Sequence, residues 1–587
     1  MSVVSSTKAS ARWTNRDVMA CSASAALAGL VYLNALHNPF VYDDHRTILD
    51  NGSIWNVWDL RTIVGHEATR PLINFSYAID RALWGTEPFG FHLTSVLLHM
   101  LNVALLYRFV WHVTGDRDSG AIPGPAVRPS VTALVGAALF AVHPMMTEAV
   151  GYISGRSEVL CATFFLSALL CARRWMIGGG TAWLFGSFGL WIAALFTKEI
   201  AVVFPCVVLC YDRWLLRSSP AEERRRLLCL HLPLVGAALA GGAARLAVFV
   251  ALEHTGDVSV RWLSALDELD VIRRYLLLML VPSGQAIFHG VRAIHSLFDA
   301  RALTGLGAVG SITAIAWWVR RLDGGVGLGL LWFLSLLVPS SALFVLGHGE
   351  AMAEHRVYLA SCGLFLAGAL AIGRVEAALG RARLIRVLAY AALTVSLLSL
   401  SARTMLRNAV WASPVRLWQE AAEGAPDEWI PHAVLGEALD NTGRHEEAIA
   451  AHRAALRLRP EEETGYMKLG TSLAETGRFE EATAIFEALR LLKPESTTVS
   501  TGLGAVAMIS GRPDEARRHF LESIDKDPRD VASRQWLAVL EEDVEKNPSA
   551  ALRWCEELQR LTPGRLATDE CIRRNRSRVA AIGGGAR

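Results

Sequence analysis

Long apolar segments fill the first two thirds of the chain, and they limit its fold more than any other feature. A helix needs about 20 mostly apolar residues to cross a bilayer. Eleven segments reach or approach this length, which predicts a helical membrane bundle of about 11 spans. The segments cover roughly residues 17–36, 91–113, 131–146, 157–175, 181–197, 200–216, 229–252, 301–319, 325–347, 357–373 and 386–402.

Arginine clusters between these segments predict the orientation, because Lys and Arg accumulate in cytoplasmic loops. A cytoplasmic N-terminus places every cluster inside, provided that residues 271–287 do not cross. That segment is interrupted by Pro282-Ser283-Gly284 and is predicted to be re-entrant or interfacial. The same orientation puts the C-terminal part outside. The clusters are Arg12 with Arg16, Arg117 with Arg128, Arg173 with Arg174, Arg217 with Arg224 to Arg226, Arg320 with Arg321, and Arg374 with Arg381, Arg383 and Arg386.

The C-terminal part repeats every 34 residues. Gly443-Arg444, Gly477-Arg478 and Gly511-Arg512 share this spacing, and a fourth unit ends near Pro563, one residue out of register. The period is typical of tetratricopeptide repeats, helix pairs that stack into a solenoid with a groove that binds polypeptide. The predicted fold is therefore all-α: a membrane bundle followed by a repeat solenoid.

The composition shifts and the repeat period together predict the domain boundaries. The predicted parts are a cytoplasmic N-terminus at 1–16, a transmembrane domain at 17–402 with a first outside loop at 37–90, lead-in helices at 403–426, repeats at 427–460, 461–494, 495–528 and 529–563, and a C-terminal helix and tail at 564–587.

Composition excludes several classes of protein. A hydrophobic content of 52% and a mean hydropathy of +0.31 exclude a purely soluble enzyme and a disordered chain. The absence of a large block of like charge argues against a nucleic-acid partner, and no nucleotide-binding glycine motif is present. Seven of the nine cysteines lie in apolar stretches, where they act as small hydrophobic residues, and Cys555 and Cys571 lie in the polar tail.

Candidate catalytic carboxylates lie directly after the first span, at Asp43 and Asp44. Two adjacent acids at a membrane surface can ionise differently, so one can act as a general base on a hydroxyl. The alternative is a helix cap or an ordinary loop acid. A divalent cation on this pair stays open, since one pair supplies too few ligands, and no other metal site or cofactor is predicted.

Candidate cations for an anionic substrate lie on the outside loops. A guanidinium or ammonium group there can hold a phosphate, and carboxylates and imidazoles nearby can support it. Polar groups at the outer face suit a lipid-linked anionic substrate that enters from the bilayer. The candidate phosphate-binding residues are Arg70, Arg156, Lys198 and Arg356, and the supporting residues are His143, Glu148, Glu158, Glu199 and His355.

The order of these motifs resembles the transmembrane and tetratricopeptide-repeat O-mannosyltransferases, which belong to the C-type membrane glycosyltransferase superfamily. The match covers nearly the whole chain, and its specificity comes from order and spacing. It comprises Phe40-Val41-Tyr42-Asp43-Asp44, Arg70-Pro71-Leu72, Gly90-Phe91-His92-Leu93 with Leu97-Leu98-His99, His143-Pro144 with Thr147-Glu148-Ala149-Val150, Gly155-Arg156, Lys198-Glu199, Arg356 with Tyr358-Leu359, and Arg407-Asn408 with Trp411 and Leu417-Trp418.

The resemblance implies a transfer of a sugar, typically mannose, from a polyprenyl- or dolichyl-phosphate donor to Ser or Thr hydroxyls of exported proteins, with inversion. Asp43 or Asp44 would be the general base, the repeat groove would hold the polypeptide acceptor, and membrane lipid would surround the bundle. The implied location is the bacterial inner membrane, or the endoplasmic reticulum in a eukaryote. Abundant Ala, Arg and Gly favour a bacterial source.

Two departures from the family pattern leave alternatives open. Met146 stands where relatives often carry His, and the repeat array is short, at about four units. A non-catalytic membrane scaffold with partner-binding repeats is the main alternative, and a lipid or polysaccharide exporter is another.

Overall fold

The computed structural model describes residues 13–117, 127–216, 218–248, 263–345, 350–378, 383–563 and 565–584. Most of the predicted N-terminal segment at 1–16, the end of the apolar segment 229–252, and Arg12, Arg217 and Arg381 lie outside these residues. The described elements are helices, as the sequence predicted. The chain divides into two compact units.

The first unit contains residues 57–285 and 291–412 together with the chain up to Phe40. Its helices are α1 (Asn15–Val31), α2 (Leu60–His66), α3 (Pro71–Trp84), α4 (Pro88–Arg117), α5 (Pro129–Val142), α6 (Thr147–Gly151), α7 (Arg156–Met176), α8 (Thr181–Leu195), α9 (Phe204–Leu215), α10 (Pro220–Arg226), α11 (Leu232–Val248), α12 (Ser264–Leu280), α13 (Ala300–Val319), α14 (Gly324–Val345), α15 (Val357–Ala378) and α16 (Arg383–Trp411).

Seven helical segments within the described residues are long and apolar enough to cross a membrane. The bent pair Pro129–Val142 and Pro144–Gly151 would make an eighth, and Thr181–Leu195 and Gly324–Pro339 are shorter apolar helices. Each predicted segment contains a helix, but the count of 11 stays a prediction because several of these helices are short. The chain is a multi-pass membrane protein.

Segment 271–287 forms the end of α12 and the irregular chain that follows it. The helix ends at Leu280, and Gly284 adopts a left-handed φ of 73° that glycine accepts without strain. The helix α12 has only 17 residues, and several charged side chains lie between Asp267 and Arg274, so it is shorter and more polar than the seven helices above. Its crossing or non-crossing stays a prediction.

The second unit contains Val41–Asn56, Ala286–Gly290 and Ser413–Arg587. Part of the predicted first outside loop therefore belongs to the same unit as the repeats. The helices of this unit are α17 (Pro414–Gly424), α18 (Trp429–Asp440), α19 (His445–Leu458), α20 (Glu463–Glu475), α21 (Phe479–Leu492), α22 (Thr497–Ile509), α23 (Pro513–Lys526), α24 (Val531–Val539), α25 (Pro548–Leu561) and α26 (Leu566–Gly584).

Glycines explain the period of the first three helix pairs. Gly443, Gly477 and Gly511 have φ angles of 75°, 78° and 75° at the turn inside each pair, a conformation that glycine adopts most easily. Close approach explains a second glycine series with the same spacing, since a Cβ on Gly470 would lie 2.4 Å from the Phe486 ring. The other members of this series are Gly436 and Gly504. These positions therefore allow a tight turn and close packing of the paired helices.

The fourth repeat shows why its sequence falls one residue out of register. A π-helical turn, Leu540–Val544, follows α24 and accommodates one extra residue. The left-handed position that glycine fills in the other repeats consequently moves to Lys546, whose φ is 53°. A disulfide joins Cys555 in α25 to Cys571 in α26, with Cα atoms 6.0 Å apart.

Candidate active site

Most of the predicted site residues of the first unit lie at one end of its helices. His143 and Glu148 follow α5, Arg156 begins α7, Lys198 and Glu199 follow α8, and His355 and Arg356 precede α15. Contacts between these segments show that the shared end is a property of the fold, because Glu148 bonds to the segment before α15 and Lys198 pairs with a carboxylate of α7.

Glu148 holds the segment that leads into α15. Its Oε2 accepts a hydrogen bond from the backbone N–H of Glu354 at 2.9 Å, and its Oε1 lies 2.6 Å from Nδ1 of His355. The Glu148 carboxylate is only 3% exposed, so these contacts compensate for its burial. Gln285 adds a bond of 2.9 Å from its amide nitrogen to Oε2 of Glu354, which is itself buried. His355 is thereby held in a fixed position beside a buried carboxylate.

Arg356 follows His355 and is half-buried. Within the described part of the chain, its guanidinium has one hydrogen bond, from Nη1 to the Ala351 carbonyl at 3.5 Å, and no carboxylate lies within ion-pair distance. Tyr275 lies within electrostatic reach of both Arg356 and Glu148. A positive group in this state has unused donors for an anion.

Arg70 and Glu199 form a bidentate ion pair. Nη2 of Arg70 lies 3.1 Å and 2.9 Å from the two Glu199 oxygens, and Nε lies 3.2 Å from Oε2. Burial raises the pKa of Glu199, but Arg70 and Lys198 outweigh this effect and hold the pKa at about 2. Arg70 stays 29% exposed, so it can still reach a ligand at the surface.

Lys198 pairs with Glu158 rather than with its neighbour in sequence. The distance from Nζ to Oε1 of Glu158 is 2.8 Å, and the Glu158 carboxylate is fully buried. Arg70, Lys198, Glu158 and Glu199 thus form a neutral group of two cations and two anions.

Arg156 is fully buried and surrounded by partners. Its Nη1 lies 2.6 Å from Oδ2 of Asp80, and Nη2 donates to the Phe91 carbonyl at 2.6 Å. Its Nε donates to Ser95, and the Tyr77 ring lies 5.0 Å from the guanidinium carbon. This pattern joins α3, α4 and α7, so in this structure Arg156 has a packing role. Binding of a phosphate by Arg156 stays a prediction that would require these contacts to open.

His143 caps the short helical turn after α5. Its Nδ1 accepts from the Met145 N–H at 3.3 Å, and Nε2 donates to the Met279 carbonyl at 3.0 Å. Both ring nitrogens therefore connect backbone segments, which fits a supporting role.

The acidic pair belongs to the second unit. Asp44 is fully buried, and its Oδ2 accepts from the Val41 N–H at 3.1 Å. Asp43 is half-exposed, and its backbone carbonyl accepts from Thr47 at 2.9 Å. Before it, Tyr42 has a φ of 51°, which costs about 1–3 kcal/mol for a bulky residue and is common at functional sites. The Tyr42 ring packs against Trp418 at 5.1 Å.

Sequence reasoning missed three residues that hold the site in place. Asp80 neutralises Arg156 and accepts from Thr94 at 2.7 Å, and burial raises its pKa although Arg156 opposes this rise. Glu354 donates its backbone N–H to Glu148, and Gln285 donates to the Glu354 carboxylate. The only available signal was that a buried arginine needs a carboxylate nearby, which does not indicate which one.

The apolar helices and the helix pairs define a membrane protein with a tetratricopeptide unit. The family model described as "Tetratricopeptide repeat" matches residues 415–463, 433–496, 467–530 and 503–565. Solved structures similar to this unit include a fragment of MamA from Desulfovibrio magneticus RS-1, with 20% identity, a TM-score of 0.20, and 25% of this chain and 82% of that chain covered. A thermophilic tetratricopeptide-repeat protein from Thermus thermophilus has 17% identity and a TM-score of 0.25, with 31% of this chain and 95% of that chain covered.

Curated relatives match between about a third and three quarters of the chain. Protein O-mannosyl-transferase Tmtc1 of Drosophila melanogaster is 26% identical over 558 residues, 77% of this chain and 63% of its own length. Protein O-mannosyl-transferase TMTC1 of Homo sapiens is 26% identical over 502 residues, which cover 75% of this chain and 55% of that protein. Protein O-mannosyl-transferase TMTC2 of Mus musculus is 31% identical over 241 residues, which cover 36% of this chain and 27% of that protein.

The chain is therefore related to the O-mannosyl-transferases that its motif order resembles, and this prediction is confirmed. It spans less than two thirds of the length of the curated relatives above.

Proposed function

We propose that the chain is an integral-membrane glycosyltransferase that moves a sugar, in the first instance mannose, from a polyprenyl- or dolichyl-phosphate to Ser or Thr hydroxyls of exported proteins. The relatives, which are named protein O-mannosyl-transferases, support the reaction class. The observation that carries the site is Arg356, a half-buried cation without a carboxylate partner in the described residues, next to the Glu148–His355 pair.

Asp43 is the proposed general base. Its side chain is half-exposed, whereas the Asp44 carboxylate is buried and bonded to the Val41 N–H. The base would take the proton of the acceptor hydroxyl as its oxygen attacks the anomeric carbon. The bond from that carbon to the phosphate oxygen would break with its electron pair left on the phosphate, which gives inversion.

Arg356 is the proposed main contact of the departing phosphate, and the half-buried Arg70 is the second candidate. Fixed cations stabilise negative charge that develops on a leaving group. Lys198 and Arg156, which are buried and paired, would act by holding α3, α7 and the segment after α8 in place. Glu148, Glu158, Glu199, His143 and His355 would support this arrangement.

The repeats are proposed to face the non-cytoplasmic side and to receive the acceptor polypeptide. The pairing of Cys555 with Cys571 supports this orientation, since disulfides persist in oxidising compartments. A membrane-impermeant maleimide should label these cysteines in intact cells only after treatment with an impermeant reductant. The Cys555→Ser, Cys571→Ser double variant should show no such gain. Label that requires cell lysis would overturn the orientation.

The catalytic proposal is tested with purified full-length protein, a lipid-phosphate-mannose donor and a Ser/Thr-rich acceptor peptide. Asp43→Asn should abolish transfer while insertion and thermal unfolding stay unchanged. Glu87→Gln is the matched control, because Glu87 is an exposed acid of the same predicted outside loop. Full activity of the Asp43 variant would refute its assignment as the base. Retention of the cellular function by an Asp43→Asn protein without transfer activity would instead favour the scaffold alternative.

A further inference from the structure

An apolar crevice of about 330 Å³ lies among α1, α5 and α16. These three helices run in the same direction, since Ser130 at the start of α5 bonds to Asp17 of α1, and Thr404 near the end of α16 bonds to the Val142 carbonyl at the end of α5. The crevice is therefore bordered by three parallel helices, and all three begin at the same end of the bundle.

The residues that line the crevice form a stripe on each helix, and an arginine precedes each stripe near the start of the helix. On α16, Tyr390, Thr394 and Leu397 line it, and Arg386 lies one turn before Tyr390 on the same face.

The other two helices repeat the pattern. On α5, Val131 and Ala138 line the crevice, and Arg128 precedes Val131 by three residues. On α1, Ala23 and Leu27 line it, and the exposed Arg16 lies seven residues before Ala23. Arg16, Arg128 and Arg386 therefore lie at the end of the crevice where the three helices begin, which we call its rim.

Contacts at the rim connect one arginine to the crevice wall. Nη2 of Arg128 donates to the Tyr390 hydroxyl at 3.0 Å and also pairs with Glu376, yet the Arg128 side chain stays 59% exposed. The Asp17 carboxylate accepts hydrogen bonds from the Ser130 hydroxyl and the Trp111 indole N–H. The described charged residues of the rim are Arg16, Arg128, Arg383 and Arg386 against Asp17 and Glu376, which leaves it positive.

The length of the crevice limits what can fill it. From Arg128 to Ala138 the helix rises about 15 Å, which is half of a hydrocarbon core of about 30 Å. A transmembrane helix of a partner would need a groove across the full thickness. A single acyl chain that extends from one leaflet fits the depth, and a phosphate headgroup fits the positive rim.

We infer that this crevice binds one anionic phospholipid of the surrounding bilayer, with an acyl chain along α1, α5 and α16 and its phosphate at Arg128 and Arg386. The site is at the opposite end of the bundle from Glu148 and Arg356, because α5 begins directly after Arg128 and ends just before the His143–Glu148 segment. It is thus separate from the proposed donor site, and it does not depend on sugar transfer.

Photo-crosslinking tests the inference on full-length protein in nanodiscs. Phosphatidylglycerol and phosphatidylcholine with the same diazirine acyl chain are compared, and the labelled peptides are mapped by mass spectrometry. We expect at least threefold more labelling of residues 23–27, 131–138 and 390–397 by the anionic lipid. The double change Arg128→Gln, Arg386→Gln should remove this preference, whereas Arg403→Gln, at the other end of α16, should preserve it.

Filling the crevice gives a second test. Ala23→Trp, at an exposed lining position, should reduce labelling of these segments at least fivefold, while Ser22→Trp places the same ring on another face of α1. Equal labelling by both lipids, or labelling that Ala23→Trp leaves unchanged, would overturn the inference. Preferential labelling by a photoactivatable polyprenyl phosphate would also overturn it, since the donor would then be the occupant.

Discussion

Nδ1 of His355 lies 2.6 Å from Oε1 of Glu148, although the two residues are 207 positions apart in sequence. The contact joins α6 to the segment before α15, and it fixes the imidazole that directly precedes Arg356 in the chain. Glu148 has no exposed surface of consequence, so its charge depends on His355 and on the Glu354 N–H.

Glu148→Gln should lower kcat of the proposed transfer about tenfold, equal to about 1.4 kcal/mol. A neutral amide forms a weaker hydrogen bond to His355 than a carboxylate does, so the ring and the following arginine become less well positioned. Steady-state kinetics with the lipid-phosphate sugar measure the effect. Glu87→Gln, at an exposed position before α4, is the control and should leave kcat unchanged. An unchanged kcat for the Glu148 variant would show that His355 needs no such support.

Arg356→Gln should raise KM for the donor by about 10–100-fold, since a hydrogen bond to a charged group contributes about 1.5–3 kcal/mol. KM for the acceptor peptide should stay constant. Arg403→Gln removes another arginine, one that donates to the Pro282 carbonyl, and should change neither value. Equal effects of both substitutions would point to loss of overall charge rather than of a specific phosphate contact.

Glu199 should make stability depend on pH below the ordinary carboxylate range. Its pKa is lowered from 4.5 to about 2 in the folded protein, so its stabilising effect is fully present above pH 4.5 and is lost as pH falls toward 2. The loss amounts to about 3 kcal/mol. Thermal unfolding in detergent from pH 6 to pH 3 should show a smaller decline for Glu199→Gln than for the unchanged protein. Parallel declines would indicate that the ion pair with Arg70 contributes little.

Lys546→Gly should stabilise the fourth repeat by about 1 kcal/mol, because a left-handed conformation costs about 1–2 kcal/mol for a residue with a side chain. Hydrogen exchange of residues 531–584 in the full chain should slow by about fivefold. Lys468→Gly makes the same chemical change inside α20, where glycine is unfavourable, and should speed exchange in its own repeat. Faster exchange for Lys546→Gly would show that its side chain has a role that outweighs the strain.

The repeat period was predictable because it depends on local requirements. Gly477 is needed for the turn and Gly470 for the approach of Phe486, and both requirements recur in the first three repeats. The shifted position of Lys546 was not predictable, because a π-helical turn depends on packing that the sequence does not display.

The pairing of charges at the candidate site was predictable only in part. The sequence indicated which loops carry charged residues, and the structure brings Glu148 and His355 together. The sequence could not indicate that Lys198 would pair with Glu158, or Arg156 with Asp80. Those pairings depend on how α3, α7 and α8 pack. Arg156 was predicted as a ligand-binding group, but its complete burial gives it contacts of a structural kind.

The assignment of Val41–Asn56 to the same unit as the repeats has a practical consequence for protein engineering. Tyr42 packs on Trp418, and Asp50 lies 3.5 Å from Arg565. The segment that bears Asp43 is therefore held in shape by side chains that follow it by hundreds of residues. A truncation after Ala412 would remove these contacts. An exchange of repeat units between homologues would have to carry matching residues to keep the Asp43 carboxylate in place.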